Sequence, residues 1–348
     1  MKIEENYFGL VDDKTVFTYS MSNNNGIKAV LTNYGATLVN LYIPCKNKKI
    51  DVVLGYDNLE NYMINPKFFG ATIGPNCNRI SKGEISLGNK QYNLEQNDNE
   101  NNLHSGEKGF HNVIWDVSIN EDENYVEFYH YNLDEEQGFP GNSKIKVKYK
   151  LTEKNELVIS YEGLSDKDTI MNLTNHTYFN LSGHSNKDAT NQELWLKSKY
   201  FTPVKDSKSI PTGEIKSVKD TPMDFTTTKK IKSQINEKYG QLEFCGGYDH
   251  NFIIDKEKEG IEKIAKLSDE NTNITMEVYS DTPGVQFYTG NFISGGPVGK
   301  ENIVYEDRCG VCLETQFFPN SINIKNFKSP ILKAGDKYES MTIYKFVY

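Results

Sequence analysis

KIKVKYKLTEKNELVISYEG, residues 144–163, decides the fold class. Ile145, Val147, Tyr149 and Leu151 are apolar, and the interleaved positions 144, 146, 148 and 150 are all lysine. A polar turn, EKNE, then leads into Leu157, Ile159 and Tyr161. Side chains alternate across a strand, so a period of two with one apolar side and one charged side reads as an antiparallel hairpin, one face on a core and one in water. VEFYHYNL (126–133), ITMEVYSDTPGVQFYTGNFI (274–293) and VVLGYD (52–57) read similarly, with turn clusters between such runs. The 22 tyrosines and 18 phenylalanines suit twisted sheets. Helical pattern is sparse; TKKIKSQINEKY (228–239) reads as a short helix or a loop over one sheet edge. No composition break, Pro/Ser linker or internal repeat divides the chain. The expected fold is therefore all-β: one large antiparallel β-sandwich, with residues 1–348 as a single domain.

The net charge of −9 disfavours nucleic acid and anionic membranes as partners. Only Arg79 and Arg308 are arginines, against 37 lysines. Guanidinium forks are the preferred grip on phosphate and carboxylate, so the expected ligand is a neutral small molecule. No stretch approaches the roughly 18 apolar residues of a membrane span. The N-terminus has no apolar run of signal-peptide length, which makes a cytoplasmic protein the expectation. Five cysteines, an odd number, then read as free thiols. Cys309-Gly-Val-Cys312 has the spacing of a redox or zinc half-site, but no second such pair exists. Two small buried residues on a strand is the plainer reading.

NLTNHTYFNLSG (172–183) holds three glycosylation triplets, at Asn172, Asn175 and Asn180. Glycans need a secreted protein. The run is better read as an active-site strand, its asparagines making backbone and turn hydrogen bonds.

Polar residues break the apolar pattern at five other or overlapping places: Asn78-Arg79, His104, His176, Asp249 and Glu314. Glu314 follows Val311, Cys312 and Leu313, a run that reads as a buried strand. A carboxylate there is costly unless paired, hydrogen-bonded or protonated. The competing reading turns Glu314 out to solvent, makes the histidines ordinary core or loop residues, leaves Asp249 in a turn, and gives Arg79 a structural ion pair. Taken together, two imidazoles, two carboxylates and one guanidinium form a toolset for general acid–base chemistry on a neutral polar ligand.

These motifs resemble the aldose 1-epimerase (galactose mutarotase) family. NLTNHTYFNLSG is similar to that family's central histidine motif. GYDHNFI, GVQFYTGNF, ETQFFPNSIN and NRISKGEISLGNKQYNLEQNDNENNLHSGEKGFHNVIWD resemble its other blocks, in the family's order. The resemblance implies a mutarotase-type sandwich and an isomerase that interconverts the anomers of free hexoses, within galactose and hexose metabolism. It implies His176 as general acid and Glu314 as general base. Arg79, His104, Asp249 and Gln286 would hold sugar hydroxyls, and Asn78 would support Arg79 or contact the ligand. It implies no metal and no cofactor, and a monomer or homodimer. Phe317-Phe318-Pro319-Asn320 and Ser105-Gly106 depart from the family pattern, with altered contacts at the site's rim as the expected consequence. To donate a proton, His176 must carry one, so a carboxylate or backbone carbonyl is expected to hold its charge. The rival readings are a glycoside hydrolase built on Asp249 and Glu314, a hexose-6-phosphate epimerase, and a non-catalytic carbohydrate-binding module.

Overall fold

In the computed structural model, which describes residues 2–348, the 144–163 hairpin forms as read. Ser143–Leu151 pairs antiparallel with Glu156–Ser165, with Tyr149 opposite Ile159. Ile145, Val147, Tyr149 and Leu151 are buried, and the interleaved lysines face outward. A slip of one residue would bury four ammonium groups. That cost far exceeds the ~1.5–3 kcal/mol that burying one valine or leucine contributes, so the charge pattern sets the register.

The hairpin belongs to a nine-stranded antiparallel sheet. Its order is Asp116–Asn120, Tyr125–Asn132, Ser143–Leu151, Glu156–Ser165, Lys337–Val347, Thr275–Ser280, Glu262–Ser268, Glu193–Leu196 and Lys229–Lys230. A six-stranded antiparallel sheet faces it, in the order Tyr178–Phe179, Val311–Gln316, Gly284–Tyr288, Asp249–Ile253, Tyr200–Thr202 and Lys216–Ser217. The two sheets meet where the Phe179 and Tyr344 rings lie 4.9 Å apart and Tyr344 Oη donates to the Leu313 carbonyl at 3.3 Å. Val147, Tyr149, Ile159 and Val278 from one sheet and Val285, Phe287, Val311 and Leu313 from the other share one core. A five-stranded antiparallel sheet, running from Glu4–Val11 to Lys48–Asp51, packs on the same core, with Tyr19 edge-on to Phe128 at 6.2 Å. The fold is the expected antiparallel β-sandwich.

Two local readings are corrected and one open alternative is decided. The 274–293 stretch is no hairpin. Thr275–Ser280 lies in the nine-stranded sheet and Gly284–Tyr288 in the six-stranded one, so the chain crosses the sandwich at Asp281–Pro283. Pro283 cannot continue the ladder there. In 52–57 only Val53 bridges, to Phe179, and residues 52–56 are fully buried rather than half-wet. Segment 228–239 forms the edge strand Lys229–Lys230 and the short turn Ile231–Ser233, which is the loop alternative. All five cysteines are free and buried. No helix among the described residues is long and apolar enough to cross a membrane.

Candidate active site

Every residue of Val311–Gln316 is buried, so Glu314 does not face solvent. Alternation sends Val311 and Leu313 into the core and Cys312 and Glu314 to the opposite face of the six-stranded sheet. Register does the rest. Glu314 lies opposite Gln286, Cys312 opposite both Tyr288 and Tyr178, and Asp249 opposite Tyr288. Opposed residues of antiparallel strands share a face, so one sheet surface carries all six. Loops carrying Phe68, Asn78, His104 and His176, and the short strand Arg79–Ile80, lie over that surface and close a cavity of about 180 Å³. All seven residues singled out in the sequence line it.

The 172–183 run is not one strand. Thr174–Asn175 pairs with Thr72–Ile73, Tyr178–Phe179 pairs with Val311 and Cys312, and His176 sits in the step between. Its N–H donates to the Ala71 carbonyl at 2.9 Å and its carbonyl accepts from Gly70 at 3.0 Å, so the backbone cannot swing. Asn172, Asn175 and Asn180 are buried, out of reach of a glycan. Their side chains bond as expected: Asn172 Oδ1 accepts from the Phe317 N–H, Asn175 Nδ2 donates to the Gly70 carbonyl, and Asn180 Nδ2 donates to the Cys309 carbonyl.

His176 Nε2 stands 3.7 Å from Glu314 Oε1, and its Nδ1 stands 3.6 Å from Cys312 Sγ. The Tyr178 ring lies nearly parallel to the imidazole at 5.0 Å, and Phe68 does so at 5.8 Å. Burial pushes His176 down to about 3. Burial also raises Glu314 well above the usual carboxylate range; Asp249 adds to the shift and Arg79 opposes it. The expectation of a carboxylate or carbonyl holding His176 charged is therefore corrected. At 3.7 Å the carboxyl is beyond the ~2.7–2.9 Å of a charge-assisted hydrogen bond, and desolvation wins. The pair holds one proton, on Glu314. Glu314 Oε2 and Gln286 Oε1 have no hydrogen-bond partner among the described residues.

His104 Nδ1 accepts the Asn78 backbone N–H at 3.1 Å. Burial, reinforced by His176, holds His104 neutral, which leaves Nε2–H as its donor. Asn78, His104 and Phe68 all adopt left-handed backbone (φ 61°, 54° and 60°). Non-glycine residues in that region cost ~1–2 kcal/mol each and need local bonds to hold them. Asn78 supplies several, since its Oδ1 also accepts the Arg79 N–H at 2.8 Å. Asn78 therefore supports both neighbours.

Arg79 Nε binds Asp98 Oδ2 at 2.7 Å, and Nη1 approaches Asp249 Oδ2 at 4.0 Å. Burial opposes its charge, but Asp249 and Asp98 more than compensate and raise it. Gln286 Nε2 donates to Asp249 Oδ1 at 2.6 Å. Burial nevertheless leaves Asp249 above its usual value, against Arg79 and Gln286. The structural ion pair foreseen for Arg79 exists, with Asp98, and Arg79 also lines the cavity.

The departures near 105 and 320 lie behind the site rather than on its rim. Asn320 donates its N–H to the Arg79 carbonyl at 2.8 Å, and Ser105 Oγ accepts the Asn76 N–H at 2.8 Å. Neither they nor Phe317 line the cavity. Arg308 also lies outside it, bound to Asn236 and the Gly246 carbonyl. His104, His176 and Glu314 each offer a ligand atom within 4.8 Å of the others, the donor types of a divalent-metal site.

Sequence reasoning missed Tyr178, Tyr288 and Cys312. Each stands two positions from a residue it did find (His176, Gln286 and Glu314), and strand periodicity could have exposed them. Asp98 and Phe68 carry no such signal.

The family model described as Aldose 1-epimerase matches residues 18–345. Galactose mutarotase of Bos taurus is 37% identical, over 92% of this chain and 91% of its own. Aldose 1-epimerase of Haemophilus influenzae is 33% identical, over 99% of both chains. The solved galactose 1-epimerase of Lactobacillus acidophilus superposes with a TM-score of 0.88 at 27% identity, covering 99% of this chain and 98% of its own. The fold, the pocket chemistry and these likenesses agree: the chain belongs to the aldose 1-epimerase family.

Proposed function

We propose that this protein is an isomerase that interconverts the α and β anomers of free hexoses such as galactose and glucose, serving hexose metabolism. One observation carries the reading. A carboxyl and an imidazole stand 3.7 Å apart in a cavity whose lining also carries Arg79, Asp249, amide side chains and aromatic rings.

Glu314, as carboxylate, takes the proton of the C1 hydroxyl. His176, as imidazolium, gives its Nε2 proton to the ring oxygen O5. The C1–O5 bond breaks and the open aldehyde forms. Rotation about C1–C2 presents the other carbonyl face. Closure returns the O5 proton to His176 and the Glu314 proton to O1, giving the other anomer. Each group supplies roughly 10²- to 10⁴-fold. At the aldehyde, Glu314 is protonated and His176 neutral. That is the distribution burial favours in this cavity, so the site is matched to the ring-opened state. The ground state needs the charged pair, and sugar hydroxyls donating to Glu314 Oε2 and Gln286 Oε1 favour it on the carboxylate side. His104 Nε2–H, Arg79 and Asp249 hold further hydroxyls, with Asn78 fixing the backbone of the first two. Residues between 66 and 314 build the cavity, which supports reading 1–348 as one domain.

A glycosidase needs two free carboxyl groups about 5–9.5 Å apart. Here Glu314 faces an imidazole, and Asp249 is engaged by Gln286 and Arg79. A phosphosugar needs an anion grip. Arg308 lies elsewhere and Arg79 is tied to Asp98, so Lys67 is the remaining cation of the lining that could serve as one.

Polarimetry on freshly dissolved α-D-galactose and α-D-glucose tests the reading. Faster relaxation to the same final rotation, lost in Glu314→Gln, supports it. Relaxation at the spontaneous rate on both sugars sinks it and turns attention to the 6-phosphates and to binding without turnover.

A further inference from the structure

The strand Val311–Gln316 presents two side chains to one imidazole. Glu314 meets Nε2 at 3.7 Å, and Cys312, two residues earlier on the same face, meets Nδ1 at 3.6 Å. The first contact belongs to the proton transfer just described. The second has no part in it. The Cys312 thiol is fully buried, and burial keeps it protonated, with Glu314 and Asp249 adding to the shift and a hydrogen bond from Tyr178 opposing it. It is inert as a nucleophile. A protonated thiol is still a weak donor and a weak acceptor. The titratable groups around the ring are Glu314, Cys312, Tyr178, His104 and His111. Among these, Cys312 is the group at hydrogen-bonding distance from Nδ1.

We propose that Cys312 is a positioning residue for His176: its sulfur accepts Nδ1–H, so that Nε2 alone exchanges protons with the sugar, and its weakness as an acceptor keeps the imidazolium a strong acid. The bond at one ring nitrogen sets which tautomer the other presents. A carboxylate at Nδ1 would stabilise the cation and make the ring a better base. Sulfur fixes the ring orientation while adding little to the stability of the cation. That suits donation to O5, a poor base, because a stronger acid transfers more readily to it. The register makes the arrangement hard to avoid: Cys312 is opposite Tyr178 and Tyr288, so the sulfur is wedged beneath the rings that flank the site.

The inference rests on His176 as the acid, and the tests separate the two claims. Nitrogen NMR of the ¹⁵N-histidine-labelled wild-type protein at neutral pH should show His176 protonated at Nδ1 and bare at Nε2. The opposite tautomer overturns the proposal. Cys312→Ala should lower kcat about five- to tenfold, the worth of one buried hydrogen bond, with KM nearly unchanged and the His176 tautomers mixed. Cys312→Ser should restore the single tautomer and part of kcat. Its oxygen is a better acceptor, so the His176 titration should move upward. Wild-type kcat and an unmixed tautomer in Cys312→Ala would overturn the proposal. Full activity in His176→Gln would instead remove the acid role beneath it, whatever the tautomer.

Discussion

Glu314 Oε1 stands 3.7 Å from His176 Nε2, and burial drives the two groups to opposite proton states, the carboxyl up and the imidazole down. The pair behaves as one site holding one proton.

From that follows the pH profile. His176 titrates at about 3, far from the ~6.5 of a free imidazole. Below that value both groups are protonated and the base is blocked; above the Glu314 value both are bare and the acid is lost. Between these limits kcat, measured by polarimetry, is expected to be flat, with no limb near the ~6.5 of a free imidazole. A limb centred near 6.5 would show a His176 that titrates freely, and would overturn this account of the pair.

Glu314→Gln is expected to lower kcat by roughly 10²- to 10⁴-fold, because the amide cannot take the C1 proton. The sign of its stability effect is also defined. Folded Glu314 keeps its proton at a pH where the unfolded residue, at about 4.3, has lost it. Wild-type stability from this group is therefore full below ~4.3 and is lost as pH rises through the folded value. Denaturation curves should show the variant level with wild type near pH 4 and more stable near pH 8. Equal curves at both would contradict the raised carboxyl.

Asp98→Asn tests how Arg79 is held. The variant keeps the shape but loses the charge that anchors Nε at 2.7 Å. KM for galactose is expected to rise roughly tenfold or more while kcat changes less, since a hydrogen bond to a charged group is worth ~1.5–3 kcal/mol. Unchanged steady-state kinetics would mean that Asp249 alone positions the guanidinium.

Lys300 and Asp51 form an ion pair at 2.7 Å with both side chains buried, and Lys300 Nζ also donates to the Val53 carbonyl at 2.9 Å. Removing one partner strands a buried charge. Lys300→Ala is expected to cost about 3–5 kcal/mol in urea denaturation, with kcat of the folded protein nearly unchanged. A cost below ~1 kcal/mol would show that water reaches Asp51.

The chemistry proposed needs no metal, so prolonged chelation is expected to leave kcat unchanged. Loss of activity restored by zinc would instead cast His104, His176 and Glu314 as its ligands.

Much of this was legible from residue pattern. The lysine-striped hairpin at 144–163 specifies an antiparallel sheet with one wet face, because a slipped register would bury charge. The polar breaks at Asn78, Arg79, His104, His176, Asp249 and Glu314 mark the cavity lining, because each sits where an apolar residue would pack more cheaply; Gln286, also in the lining, came only from the family resemblance. The errors came where long-range contacts outweigh local pattern. ITMEVYSDTPGVQFYTGNFI alternates like a hairpin, yet its halves serve different sheets.

Alternation and motif order, both local, therefore determined the sandwich and the inventory of the site. Tertiary structure alone decided that Cys312 meets His176, that Asp98 anchors Arg79, and that His176 is neutral rather than charged. Those depend on which strands lie side by side and on how completely water is excluded, and both arise only once distant segments have packed.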